Sequence, residues 1–210
     1  MPRFDIERKE MISLLEKKGI TDTTVLQAMS SVERHLFIDT FFQNKAYEDN
    51  ALPIDCEQTI SQPYTVAFMT QALQVKKGDK VLEVGTGSGY QAAILATMRC
   101  RVFTIERHAE LLYNARKVFD MLQLHIASKV GDGSVGWSEF APYKGIIVTA
   151  GSPTIPDALP KQLAEGGRLV IPVGDKEVQR LVIVQRIGNE FHQQELDEFK
   201  FVPLIGKNAW

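Results

Sequence analysis

The sequence predicts an α/β fold: a mostly parallel, doubly wound sheet with an N-terminal helical extension and a C-terminal antiparallel hairpin. Three observations carry this. After residue 78, apolar β-type runs alternate with helical periodicities over short connections, the pattern of a parallel sheet with right-handed crossovers. The run Val81-Leu82-Glu83-Val84 breaks into Gly85-Thr86-Gly87-Ser88-Gly89 just before the helix-forming Ala92-Ala93-Ile94-Leu95-Ala96, so three alternating glycines occupy a strand-to-helix turn. Finally, Leu181-Val182-Ile183-Val184 and Phe199-Lys200-Phe201-Val202 flank Gly188-Asn189 with no helix between them, which reads as a hairpin closing the sheet.

The elements follow in order. Residues 5–18 set Ile6, Met11, Leu14 and Leu15 near helical spacing among charges, with Gly19 as a stop. A second helix follows Thr21-Asp22, with Val25, Leu26, Ala28, Met29 and Val32 apolar; residues 1–45 form a helical preface. Tyr47 to Ser61 is polar and aperiodic, a long loop of the kind that is more often functional than idle. Ser61-Gln62-Pro63 starts a helix, with Ser as N-cap, Pro in the first turn, and Val66, Met69 and Leu73 on one face. Residues 46–77 thus supply a covering loop and helix. The core, 78–210, holds strands at 80–84, 101–106, near 127–131, 145–149 and 168–173, with helices over 90–98, 108–121 and 156–164. Without linkers, repeats or low-complexity tracts, residues 1–210 read as one domain.

Composition narrows the function. At 210 residues with 44% apolar, the chain can bury a substantial core, and a net charge of -2 lacks the basic field that nucleic-acid binding generally needs. The N-terminus is charged and no apolar run approaches the ~20 residues of a membrane span, so a cytoplasmic protein without membrane or nucleic-acid partners is expected. Cys56 and Cys100 stand apart, without CxxC or clustered His, and neither a disulfide framework nor a metal site is expected.

The glycine turn reads as a cofactor cradle, because glycine permits positive φ and close approach of a ligand, while free N–H groups opening the helix attract electron-rich groups. A dinucleotide fingerprint would be GxGxxG; here the spacing is GxGxG, with Glu83 two residues ahead of the first glycine. Spacing and acid point to S-adenosylmethionine, whose amino-acid end is cationic and which has no pyrophosphate. NAD is the rival, since an acid ending the second strand serves both. That acid is Glu106, placed to accept the ribose hydroxyls of an adenosine. Asp132, in Gly131-Asp132-Gly133 after the third strand, either meets an adenine amino group or makes a turn. Ser61 either caps its helix or orients an anionic substrate at the helix N-terminus.

The resemblance extends past this generic turn. Gln58-Thr59-Ile60-Ser61-Gln62-Pro63-Tyr64, Val81 to Ala96, Gly131-Asp132-Gly133, Ile146-Ile147-Val148-Thr149-Ala150 and Gly166 to Gly174 together resemble the protein-L-isoaspartate O-methyltransferases, over a stretch from about residue 20, with Arg34-His35-Leu36-Phe37, to Phe201-Val202-Pro203-Leu204. The resemblance implies a Rossmann-like methyltransferase fold, S-adenosylmethionine as donor, S-adenosyl-L-homocysteine as product, and the free α-carboxylate of L-isoaspartyl residues in damaged proteins and peptides as methyl acceptor, in protein repair. It implies cofactor contacts by Thr59, Ile60, Glu83, Gly85, Thr86, Gly87, Gly89, Glu106, Asp132 and Gly133. Ser61 becomes the catalytic residue, binding substrate together with the backbone of Val202, Pro203 and Leu204; a monomer is expected. An α-carboxyl group, with a pKa near ~3.5, is already ionised at neutral pH and needs no general base. The chain departs from the family pattern at Lys144, where an Asp is common, and at Asn50, where a Ser is common. The alternatives are a methyltransferase acting on a small molecule and a non-catalytic cofactor-binding module.

Overall fold

Successive residues of the central strands point into two different cores, as in any sheet covered on both faces. The computed structural model describes residues 3–210. Its seven-stranded sheet has the order β5-β4-β3-β6-β7-β8-β9, with β3 (Lys80–Val84), β4 (Arg101–Glu106), β5 (Ala127–Val130), β6 (Tyr143–Val148) and β7 (Leu163–Gly174) mutually parallel. The strands β8 (Gln179–Ile187) and β9 (Glu190–Phe199) add antiparallel at one edge. Val81, Ile147 and Val170 point into one cluster, whereas Leu82, Ile146 and Leu169 point into the other. The five helices, α1 (Arg3–Lys17), α2 (Thr23–Ser31), α3 (Pro63–Leu73), α4 (Tyr90–Thr97) and α5 (Ala109–Met121), all pack into the first. The second is covered by the 3-10 turns around Trp137, Phe140 and Leu159 and by the C-terminal Leu204.

The chain runs β3→β4→β5 outward, then returns to place β6 on the other side of β3. That reversal opens a crevice at the carboxyl ends of β3 and β6, the place where ligands sit in open α/β sheets.

Three expectations need correction. The helix expected over 156–164 does not form; the segment makes one 3-10 turn, Pro160–Gln162, and enters β7 at Leu163. Pro160 lacks the N–H that an α-helix would direct at Pro156, so the interior of such a helix would be broken. The hairpin's second strand runs from Glu190 to Phe199, earlier than Phe199 to Val202, and the chain leaves the sheet after Phe199. The loop from Tyr47 to Ser61 contains a small antiparallel ribbon, β1 (Leu52–Pro53) with β2 (Thr59–Ile60), turning through Cys56 and Glu57 at positive φ. Lys144 is accommodated: its Nζ donates to the carbonyls of Glu165 and Gly166, each at 3.1 Å, where β7 bulges against β6.

Candidate active site

Gly85 follows β3 with φ +94, and a Cβ built there would lie 2.5 Å from Thr149 Oγ1. The Thr149 hydroxyl donates to the Gly85 carbonyl at 2.6 Å, so the turn and the end of β6 are pressed together where only glycine fits. Gly89, at φ +90, serves packing instead: a Cβ would strike Phe119 of α5 at 2.7 Å.

Two cavities flank the glycine turn, and both are lined by Thr59, Gly85, Gly87 and Thr149. One continues past Glu106, His108, Gly131 and Gly133 to Val202, Pro203 and Leu204. The Glu106 carboxylate is already fastened to the turn, accepting from Gly87 N–H and His108 N–H, each at 2.9 Å. Two bonds fix its orientation and leave lone pairs for a ligand.

The other cavity continues past Ile60, Ser61, Glu83, Thr86 and Tyr90. Glu83 is wholly buried. Its Oε2 accepts from Thr104 Oγ1 at 2.5 Å, Thr104 shares a 2.6 Å bond with Thr86 Oγ1, and Oε1 has no partner among the described residues. Burial pushes the Glu83 carboxyl up to about 8, against the bonds from Thr104 and the Ala92 N–H, and Glu106 adds to the rise. An idle buried acceptor at a cavity wall is costly unless a donor or cation arrives.

A wider groove of about 860 Å³ adjoins both cavities, lined among others by Thr59, Ser61, Tyr64, Thr149, Phe199 and Val202. Ser61 therefore stands where the groove meets the Glu83 cavity. It is not the helix cap expected from the sequence. Gln62 occupies the cap position without a side-chain bond, and the Tyr64 N–H is met by Asp49 Oδ1 at 2.8 Å from the covering segment. With capping done by a distant carboxylate, the Ser61 hydroxyl has no such duty.

Two further expectations change. Gly131 and Gly133 line the first cavity, but the Asp132 carboxylate faces the C-terminal tail: Oδ1 accepts from Ser134 N–H and Oγ, and Oδ2 from Lys207 N–H at 2.8 Å. Burial would raise the Asp132 pKa, yet these donors hold it below the usual carboxylate range. Val202, Pro203 and Leu204 do line the cavity, but the Val202 carbonyl accepts from Gly151 N–H at 2.8 Å and the Leu204 N–H donates to the Gly151 carbonyl at 2.7 Å. The Val202 carbonyl and the Leu204 N–H are thereby already occupied. Thr149, common to all three spaces, was not among the sequence candidates; its place just beyond the carboxyl end of β6 was the available signal.

Among the described residues no helix is long and apolar enough to cross a membrane, and no three His, Cys, Asp or Glu side chains are grouped to hold a metal. Cys56 and Cys100 are both free.

The family model of protein-L-isoaspartate(D-aspartate) O-methyltransferase matches residues 6–209. The protein-L-isoaspartate O-methyltransferase of Chlorobaculum tepidum is 52% identical over 206 residues, covering 97% of this chain and 96% of that protein. A solved protein-L-isoaspartate O-methyltransferase superposes with a TM-score of 0.88 at 28% identity, covering 96% of this chain and 67% of the other. A second, the β-aspartate methyltransferase from Plasmodium falciparum in complex with S-adenosyl-L-homocysteine, gives 0.84 at 25% identity over 94% of this chain and 98% of the other. The glycine turn, the buried acid behind it and the serine at the groove thus sit in a chain that belongs to the protein-L-isoaspartate O-methyltransferase family.

Proposed function

We propose that the protein methylates the free α-carboxylate of L-isoaspartyl residues in damaged proteins and peptides, using S-adenosylmethionine, as a cytoplasmic monomer without nucleic-acid, membrane or metal partners. The observation that carries this reading is the position of Ser61 between an open groove and a cavity walled by Glu83, whose carboxyl keeps one oxygen without a partner among the described residues. The residues present fit the cofactor: the Glu83 oxygen lacks a cation, and a Cβ at Gly85 would close the cradle. When bound, S-adenosylmethionine supplies a methyl group activated on a sulfonium.

The chain's own residues then divide the work. Glu106, held by Gly87 and His108, accepts the ribose hydroxyls, charge-assisted bonds of roughly 1.5–3 kcal/mol each. Glu83 faces the cationic amino-acid end, with Thr59, Ile60 and Thr86 around it. Gly85, Gly87 and Gly133 leave the backbone open to close approach. Asp132 works at one remove, tying down the tail that brings Leu204 against the same cavity. Ser61 donates one hydrogen bond to the acceptor carboxylate just ahead of α3, where the groove meets the Glu83 cavity. No side chain needs to remove a proton, and the rate comes from alignment and from excluding water between covering segment and tail. The 860 Å³ groove suits an extended peptide better than a small molecule.

The test is transfer of label from S-adenosylmethionine to an isoaspartyl peptide and to its aspartyl twin. Labelling of the isoaspartyl form alone, as a base-labile ester, is expected. Labelling of neither removes this reading and leaves a small-molecule acceptor or a non-catalytic module.

A further inference from the structure

Arg34 belongs to the stretch Arg34-His35-Leu36-Phe37, which neither cavity uses, and it is 0% exposed. Its Nε donates to the Ala46 carbonyl at 2.7 Å, while Nη1 and Nη2 find no hydrogen-bond partner among the described residues. The guanidinium carbon lies 4.9 Å from the centre of the Tyr90 ring. Burial lowers its pKa to about 10 in spite of the opposing pull of Tyr90, Asp49 and Tyr47. As a stabilising device this is a poor choice, because an apolar side chain of similar volume would avoid both the desolvated charge and the idle donors. A buried cation kept on such terms asks for another reason.

Two parts of the site meet at this side chain. Tyr90 opens α4 immediately after the glycine turn and lines the Glu83 cavity. Ala46 begins the covering segment, and Asp49, three residues on, is within electrostatic reach of the guanidinium. Asp49 in turn accepts from Tyr64 N–H at 2.8 Å and pairs with Lys18 Nζ at 2.5 Å. Tyr64 follows Ser61 by three residues, so whatever fixes Asp49 fixes the start of α3 and the placement of Ser61.

We propose that Arg34 is a positioning residue for methyl transfer: bonded to Ala46 and stacked against Tyr90, it ties the start of the covering segment, which carries Asp49 to the Tyr64 N–H, to the glycine turn, and so keeps Ser61 in register. The inference rests on the methyltransferase reading given above. It makes Arg34 and Asp49 one unit acting on the same alignment.

The experiment compares the parent with Arg34→Met, Arg34→Lys, Asp49→Asn and the Arg34–Asp49 double variant, each normalised to the active sites titrated by S-adenosyl-L-homocysteine. In the folded fraction, Arg34→Met is expected to lower kcat/KM for an isoaspartyl peptide ~10-fold or more, because small misplacements of reacting groups are costly. Its unfolding midpoint is expected to stay at or above that of the parent. The double variant should be no slower than the slower single one, since residues acting as a unit are not additive. Arg34→Lys replaces Arg34→Met in the cycle if the latter does not fold. A kcat/KM within twofold of the parent, or additive losses in the double variant, overturns the proposal. Inactivity of the parent on the peptide is a different failure, that of the functional reading itself.

Discussion

The crevice at the ends of β3 and β6 and the hairpin wall of the groove are built on opposite terms. Val81 to Val84 are at most 1% exposed, and the turn that follows is fixed by hard contacts such as Gly85 against Thr149. Most of β9 is exposed, and its last residue, Phe199, lines the groove and packs on Tyr64 and Phe68. A close-packed backbone turn admits few sequences, whereas an exposed edge strand admits many. The cofactor half of the site should therefore fail abruptly on substitution, and the substrate half by degrees.

The largest expected effect is at the cradle. Gly85→Ala forces a side chain into a left-handed turn and onto Thr149, so affinity for S-adenosyl-L-homocysteine should fall by ~100-fold or more, about 2.7 kcal/mol. A folded variant with parental affinity by calorimetry would break the contrast at its strongest point. Ser61 comes next. Ser61→Ala should lower kcat on an isoaspartyl peptide ~10-fold or more, with stability changed by less than ~0.5 kcal/mol, because Asp49 meets the Tyr64 N–H. Ser61→Asp should be slower still, setting an anion against the anionic acceptor. A Ser61→Asp enzyme with the parental kcat would remove Ser61 from the chemistry.

Glu106→Ala should weaken cofactor binding about 10-fold, on the order of 1.4 kcal/mol, less than Gly85→Ala because polar contacts are lost without a side chain being forced into the turn. Calorimetry showing equal losses for the two variants would mean that sterics do not dominate this half. The last expected effect is on stability, and it is a slope with pH. Glu83 has a folded pKa of about 8 against an ordinary 4.5, so between those values the folded state holds a proton that the unfolded chain has released. Stability should decline as pH rises from about 4.5 to about 8, and Glu83→Gln should remove that component. Denaturant midpoints of parent and variant that run parallel across this window would show that burial does not govern Glu83.

Much of this was legible because the signals are local. Glycine spacing, an acid inside one strand and another ending the next, and apolar runs long enough for buried strands depend on neighbours in the chain, and the crevice follows from their order. The misreadings came where distant segments compete. Asp49 takes over capping from Ser61 across 15 residues, and Lys207 reaches across 75 to the Asp132 carboxylate. Gly151 likewise occupies the backbone of Val202 and Leu204. The segment 156–164 misled for a local reason, since Pro160 counted for less in the apolar pattern than it does in the hydrogen-bond ladder.

By itself the sequence determined the parallel sheet, the glycine turn and the two acids that face it, because backbone sterics and hydrophobic periodicity act between near neighbours. Only the tertiary structure decided that Ser61 is free of capping, that Asp132 serves the tail, and that Arg34 is buried between covering segment and cradle. Those assignments depend on which polar group reaches a given donor first in three dimensions, and spacing along the chain does not encode that distance.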